Sequence, residues 1–200
     1  MAEKPKIFEE HYNFYLDKIS GLKLPAKAEI LGARVDGKDI LVTFFGKLYR
    51  ISNSGITGPS GKKPPYSVCI VLFNYVLNCP HKIPEETDWM SYKDFKDAAP
   101  LVNFFTNEVE KAVAVHFAGK LPELEKAAGK LEGKPPDLEL SHDFAKQFTA
   151  LPRVELLLAF NDKDEQFPAQ SSVLFQRRIE SFLDMESAAI VGSILADYLI

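Results

Sequence analysis

Cysteine is scarce in this chain: Cys69 and Cys79 are alone among 200 residues. Two thiols are too few for a disulfide framework, and in a reducing compartment they stay free, one as a core thiol and one in a loop. Histidine is sparse as well, at four, and tryptophan occurs once, at Trp89. Cys69, Cys79 and His81 fall short of a zinc set, because structural zinc takes four ligands in close pairs and no Cys-x-x-Cys or second nearby His completes this one. Long apolar runs are missing. The longest, 68–73 extended through Tyr75 to Leu77, is well short of the ~18–20 residues that span a bilayer, so no membrane association is expected. Residues 1–8 hold Lys4 and Lys6 but also Glu3 and Pro5, with no apolar stretch behind them. A secretory leader is not recognised there, and the expected location is the cytoplasm.

Clustered basic charge is lacking too. Residues 1–65 hold 11 Lys and Arg against 7 Asp and Glu, whereas 66–200 hold 13 against 21. Nucleic acid is therefore an unfavoured partner, since phosphate neutralisation needs Lys and Arg gathered on one surface. A phosphate-binding loop is absent on spacing. The stretch 52–65, SNSGITGPSGKKPP, lies between a strand and a helix, but five residues separate Gly55 from Gly61 where a P-loop has four, and Lys62 is followed by Lys63 and two prolines. Its glycine, serine and proline content predicts a flexible loop.

What is present suits one sizeable core: 46% of residues are hydrophobic and 12% aromatic, in a length that favours a single domain. Residues 5–20 place Ile7, Phe8, Tyr12, Tyr15, Leu16 and Ile19 at helical spacing before Gly21. After Pro25 the period changes to two. Leu31, Ala33 and Val35 alternate, Asp36-Gly37 supplies a turn, and Ile40, Val42 and Phe44 resume the alternation, with Gly46-Lys47 turning the chain into a third strand. Residues 66–77 are apolar on nearly every face, which marks a central buried helix. Residues 88–95 predict a short strand or irregular edge around Trp89. Pro100 opens a long helix whose apolar face is Leu101, Phe104, Phe105, Val109, Ala112, Val113, His116 and Phe117, with Gly119 at its end. On that face His116 reads as a hydrogen-bonded core residue rather than a catalyst. A shorter helix over 121–131 and a strand within 138–148 follow. In 154–160 both faces are apolar, predicting a strand inside a sheet; 171–175 reads as its neighbour, and Asp184 as the N-cap of a last helix. The expected fold is a single α+β domain: an N-terminal helix, an antiparallel meander, a helical middle, and a C-terminal strand pair plus helix.

The candidate site residues lie at the two ends of the 154–160 strand. Asp162, Asp164 and Glu165 make an acidic turn before Phe167-Pro168, and Arg153 precedes the strand. Three readings follow. In the first, these residues and the 52–65 loop meet a ligand or a protein partner, and the chain is a non-enzymatic binding or accessory module. In the second, the acids act as general acid and base, with His142 or Arg153 nearby in sequence. In the third, 161–165 holds a divalent cation; an EF-hand is excluded, because its sixth and twelfth positions, counted from Asp162, are Phe167 and Val173 instead of Gly and Glu. Acids in such a turn most often form the turn itself. No cofactor is assigned by any motif, and oligomeric state is not indicated.

The apolar helix 68–77, the Trp89 segment, the helix ending in Phe117, Leu151-Pro152-Arg153, the run Asp164-Glu165-Gln166-Phe167-Pro168-Ala169 and Leu174-Phe175 together resemble the prokaryotic family called domain of unknown function 3786. The chain departs from that pattern at Phe160, where Trp is frequent, at Gln166 and Gln176, where carboxylates are common, and at Ala118, where Gly follows the helix. The resemblance implies no reaction. Some members look as if they carry an added cysteine-rich iron–sulfur domain similar to that of corrinoid proteins, which implies a setting in anaerobic corrinoid or one-carbon metabolism; this chain lacks those cysteines.

Overall fold

The change of period from 3.6 to 2 and back is realised as two antiparallel four-stranded sheets with helices packed between and around them. The computed structural model describes residues 3–200. Helix α1 (Glu3–Ser20) leads through a 3₁₀ turn to the single-turn helix α2 (Ala28–Leu31). The meander β1 (Arg34–Asp36), β2 (Asp39–Phe44), β3 (Lys47–Ser52) and β4 (Gly55–Thr57) forms the first sheet in that order. Helix α3 (Tyr66–Leu77) follows, then β5 (Trp89–Ser91), and a helical run made of α4 (Val102–Phe105), a π-helical turn at Thr106–Glu110, and α5 (Lys111–Phe117). Helix α6 (Leu121–Lys130), strands β6 (Phe144–Leu151), β7 (Val154–Asn161) and β8 (Gln170–Gln176), and helix α7 (Met185–Leu199) complete the chain. The second sheet runs β5-β8-β7-β6, so β7 is interior, as its two apolar faces require.

The expected α+β domain is present, with differences that have local causes. The meander has four strands rather than three. Its first is shorter than the alternation suggests, because Leu31 closes α2 and Gly32 takes the left-handed conformation (φ 64°) beyond it. The hairpin turn is Gly37-Lys38, one residue later than Asp36-Gly37: Asp36 pairs with Asp39, and both carboxylates are held by Arg50. At the next turn Phe45 (φ 44°) and Gly46 (φ 72°) are the central pair, the two positive angles of a type I′ hairpin. The strand read within 138–148 starts at Phe144, and the C-terminal strand pair is three strands joined by β5. Phe104 sits on the exposed side beside buried Phe105, and His116 is half-buried, packed edge-on to Phe117, not enclosed in the core.

The 52–65 stretch carries more order than its composition suggests. Gly55–Thr57 is β4, Asn53 Nδ2 lies within 2.7–3.2 Å of the carbonyls of Ile19, Ser20 and Leu22 at the end of α1, and Ile56 N donates to the Tyr12 hydroxyl. Lys63 reaches Glu9 and lies 3.6 Å from the centre of the Tyr12 ring. The Asn53 contacts replace water for the otherwise orphaned carbonyls at the end of α1.

The two sheets meet at β6. A bulge at Ala150 interrupts the β6–β7 register, and the Ala150 carbonyl accepts a hydrogen bond from Phe45 N at 2.8 Å. On the same strand Phe148 presses on the loop after α6. There Glu132 holds the left-handed position (φ 56°), its N–H bonding Gly129 O, while Gly133 N bonds Ala128 O, the pattern of a Schellman cap. Glycine normally takes the left-handed place; here it stands one residue later, because a Cβ on Gly133 would lie 2.8 Å from Phe148 Cε1. Packing has claimed the glycine and left the strain to Glu132. Glu132→Gly is expected to raise stability by about 1 kcal/mol, the scale of left-handed strain in an L-residue. Gly133→Ala is expected to lower it by about 1–3 kcal/mol through overpacking. Urea denaturation of both variants checks the pair, and equal effects would contradict this division of roles.

Candidate functional site

The acidic turn and Arg153 are held apart, at opposite ends of β7, roughly 30 Å by strand rise. Arg153 donates from Nε to Ile30 O (2.9 Å) and from Nη2 to Glu29 O (3.1 Å), closing the end of α2. Asp162 Oδ1 accepts from Gly119 N (2.6 Å) and Lys163 N (2.7 Å), tying the turn to the end of α5. Asp164 Oδ1 accepts from Gln166 N and Phe167 N, both at 2.7 Å, and those amides hold its carboxyl below the usual carboxylate range. Glu165 is exposed. Two of the three acids are thus engaged by backbone amides, Asp164 within the turn and Asp162 both within it and across to the end of α5. Among the described residues no group of three or more His, Cys, Asp or Glu is placed to hold a metal ion. The Cys69 thiol is buried and pushed up to about 11 by that burial, which makes it a poor nucleophile.

A different carboxylate meets the requirements of a site. Phe105, Val109, Val113 and Phe117 are buried at steps of four residues. At about 100° per residue, three such steps overshoot whole turns by about 120°, so on a regular α-helix the four would drift across that arc. The π-helical turn at Thr106–Glu110 absorbs the excess: Lys111 N bonds Thr106 O, five residues back. Phe105 is locked ahead of it, stacked on Tyr92 with ring centres 4.3 Å apart and packed over Gly192, where any Cβ would fall on its ring. The bulge carries Glu110 to the edge of β8. Strand β5 stops at Ser91, opposite Leu174, and the next edge amide, Val173 N, donates to Glu110 Oε1 at 3.2 Å. Ser171 Oγ donates to Glu110 O at 2.6 Å.

Glu110 faces a cleft of about 260 Å³ lined by Ser91, Lys93, Val102, Thr106 and Ser172, with Tyr92 and Phe105 beneath. Burial pushes its carboxyl above the usual range, against the opposing pull of the Val173 amide, the Thr106 hydroxyl and the Lys93 charge. A half-buried carboxyl with a raised pKa, set in a cleft on a π-helical turn, is the combination that marks functional positions. Other hollows are larger; one of about 420 Å³ between Phe45–Lys47 and 130–134 is lined by lysines that are all exposed. It is the space left where the two turns meet β6. Sequence reading passed over Glu110 because it singled out runs of acids. The signal in the sequence is the strict four-residue spacing of Phe105, Val109, Val113 and Phe117, which drifts by about 40° per step on a regular α-helix.

The fold and this cleft define a mixed α+β domain with two antiparallel sheets and a polar cleft at a sheet edge; no helix among the described residues is long and apolar enough to cross a membrane. Residues 23–198 match the family described as Domain of unknown function (DUF3786), and the chain belongs to that family. No curated protein and no solved structure matches it.

Two outcomes follow from these assignments. Asp162→Ala removes the acceptor of two amides and is expected to destabilise the fold by about 1–2 kcal/mol, whereas Glu165→Gln leaves it unchanged; thermal unfolding of each variant checks this. For Glu110 the folded carboxyl titrates above its unfolded value, so it favours the folded state below the unfolded pKa and that contribution is lost as pH rises through the folded pKa. Glu110→Gln is therefore expected to gain stability relative to wild type above that pKa, with the gain vanishing at acid pH. Urea titrations across pH 3–8 read the difference, and a gain largest at acid pH would reverse the assignment.

Proposed function

We propose that the protein is a binding module that takes a small polar ligand in the cleft between β5, the π-helical turn and the edge of β8. The observation that carries this reading is Glu110 itself: a carboxyl held half-buried, at an electrostatic cost, by a helix distortion that delivers it to a cleft. Residues kept in such environments against their own stability are characteristic of sites selected for binding or chemistry. The engagement of Asp162 and Asp164 by backbone amides favours binding at this cleft over acid–base or cation chemistry in the 161–165 turn.

An accessory role beside a protein partner is compatible with this reading, the ligand then tuning the partner's encounter. The corrinoid or one-carbon setting implied by the family resemblance would be met through a small ligand or through that partner. A corrin macrocycle is too large for a cleft of about 260 Å³. The test is an amide NMR screen of a small-metabolite panel on isotope-labelled protein. Saturable shifts confined to 91–93, 102–111 and 171–173, reduced in Glu110→Gln, are the expected result. A panel that moves no amide there, or moves only others, overturns the assignment.

A further inference from the structure

Resting on the reading of this cleft as a binding site, we infer that its ligand is a small zwitterion of the amino-acid class, its ammonium group meeting Glu110 and its carboxylate meeting Lys93. The two protein charges line the same cleft, and Lys93 is close enough to lower the Glu110 carboxyl's affinity for its proton, yet the two form no ion pair. An unpaired carboxylate and ammonium facing one small space discriminate by sign. A simple cation drawn to Glu110 is repelled by Lys93, and a simple anion drawn to Lys93 is repelled by Glu110; only a ligand with both charges gains at both ends.

The remaining lining fits the same class. Val102 and Phe105 are the apolar lining of the cleft, beside Ser91, Thr106 and Ser172. Glu110 is already positioned by the Val173 amide on Oε1 and by Thr106. Little reorganisation is needed to receive an ammonium donor, and preorganisation of this kind is where small-ligand affinity arises. About 260 Å³ accommodates an amino acid, leaving little space for a peptide or a nucleotide.

Calorimetric titration of the full chain with the twenty L-amino acids and with short ω-amino acids tests this, followed by the N-acetyl and carboxamide derivatives of whichever binds. The expected result is saturable binding of at least one zwitterion, weakened tenfold or more by either derivatisation. Lys93→Met, an exposed position, is expected to weaken the zwitterion tenfold or more and to leave the carboxamide, a cation relieved of the Lys93 charge, bound as well or better, with the protein still folded. Glu110→Gln should weaken both. If the carboxamide or a simple amine binds as tightly as the zwitterion, or if Lys93→Met weakens carboxamide and zwitterion alike, the zwitterion assignment fails while the cleft remains a binding site. If no amino acid binds but other metabolites still shift the cleft amides, the ligand class is wrong; if nothing binds there at all, both readings fall together.

Discussion

Burial of α3 on every side is the constraint around which the other elements are arranged. Residues 68–76 of this helix are all buried, Asn74 included. Each large apolar side chain so enclosed contributes about 1.5–3 kcal/mol, and the helix has no solvent face to trade against. Its neighbours must therefore each turn an apolar surface inward: α1 through Tyr12 and Tyr15, whose rings meet Phe73, and α7 through its own nearly continuous buried face. Two hydrogen bonds fix where these neighbours stop. Asn74 Nδ2 donates to Ser187 Oγ at 3.0 Å inside the α3–α7 contact, and the Tyr75 hydroxyl donates to Leu31 O at 2.6 Å. A buried amide without its partner would cost more than the bond contributes, so these pairs reject slipped packings that apolar contact alone would tolerate.

With the centre committed to α3, conflict between packing and local geometry is pushed to the periphery, and it collects along the second sheet. Phe45 and Glu132, the two non-glycine residues at positive φ among the described residues, both belong to turns that abut β6. At one, the bulge at Ala150 offers a carbonyl that the turn must reach; at the other, the Phe148 ring takes the space that a side chain on Gly133 would need. Strain of this kind has a sufficient structural cause. Glu110 differs: its bulge solves a packing problem in the helix, but nothing in that solution requires a carboxyl at the position. A serine, an asparagine or a glutamine also accepts from an amide, without the penalty of a half-buried charge.

Legibility in the sequence follows from how local the cause is. Helix α3, the interior strand β7 and the Asp184 cap, whose carboxylate accepts from Ser187 N, are dictated by runs of a few residues and were readable as such. The turn Gly37-Lys38 and the pair Phe45-Gly46 were each displaced by one residue, because strand register is set by pairing across the sheet and by Arg50 binding Asp36 and Asp39. The pinning of 52–65 depends on Asn53 meeting the end of α1 more than thirty residues away, which composition does not encode. Arg153, Asp162 and Asp164 drew attention as charged residues beside a hydrophobic strand, and their charges serve the ends of α2 and α5 and the turn itself.

The cleft was illegible for a further reason: its residues come from three separate stretches, 91–93, 102–110 and 172, brought together by the early end of β5. Had that strand continued past Ser91 it would have paired with Val173, covered the edge amide and filled the cleft with backbone. Tyr92 instead turns inward, its hydroxyl bonding Met185 O, and starts a 3₁₀ turn that swings Lys93 out to the rim. Opposite charges are thereby set on separate elements, exposed Lys93 beside the core tyrosine and Glu110 on the bulged helix, where Val173 N bonds its carboxylate. The two form no ion pair, so a ligand bridging them would gain from charges that the protein has not already neutralised.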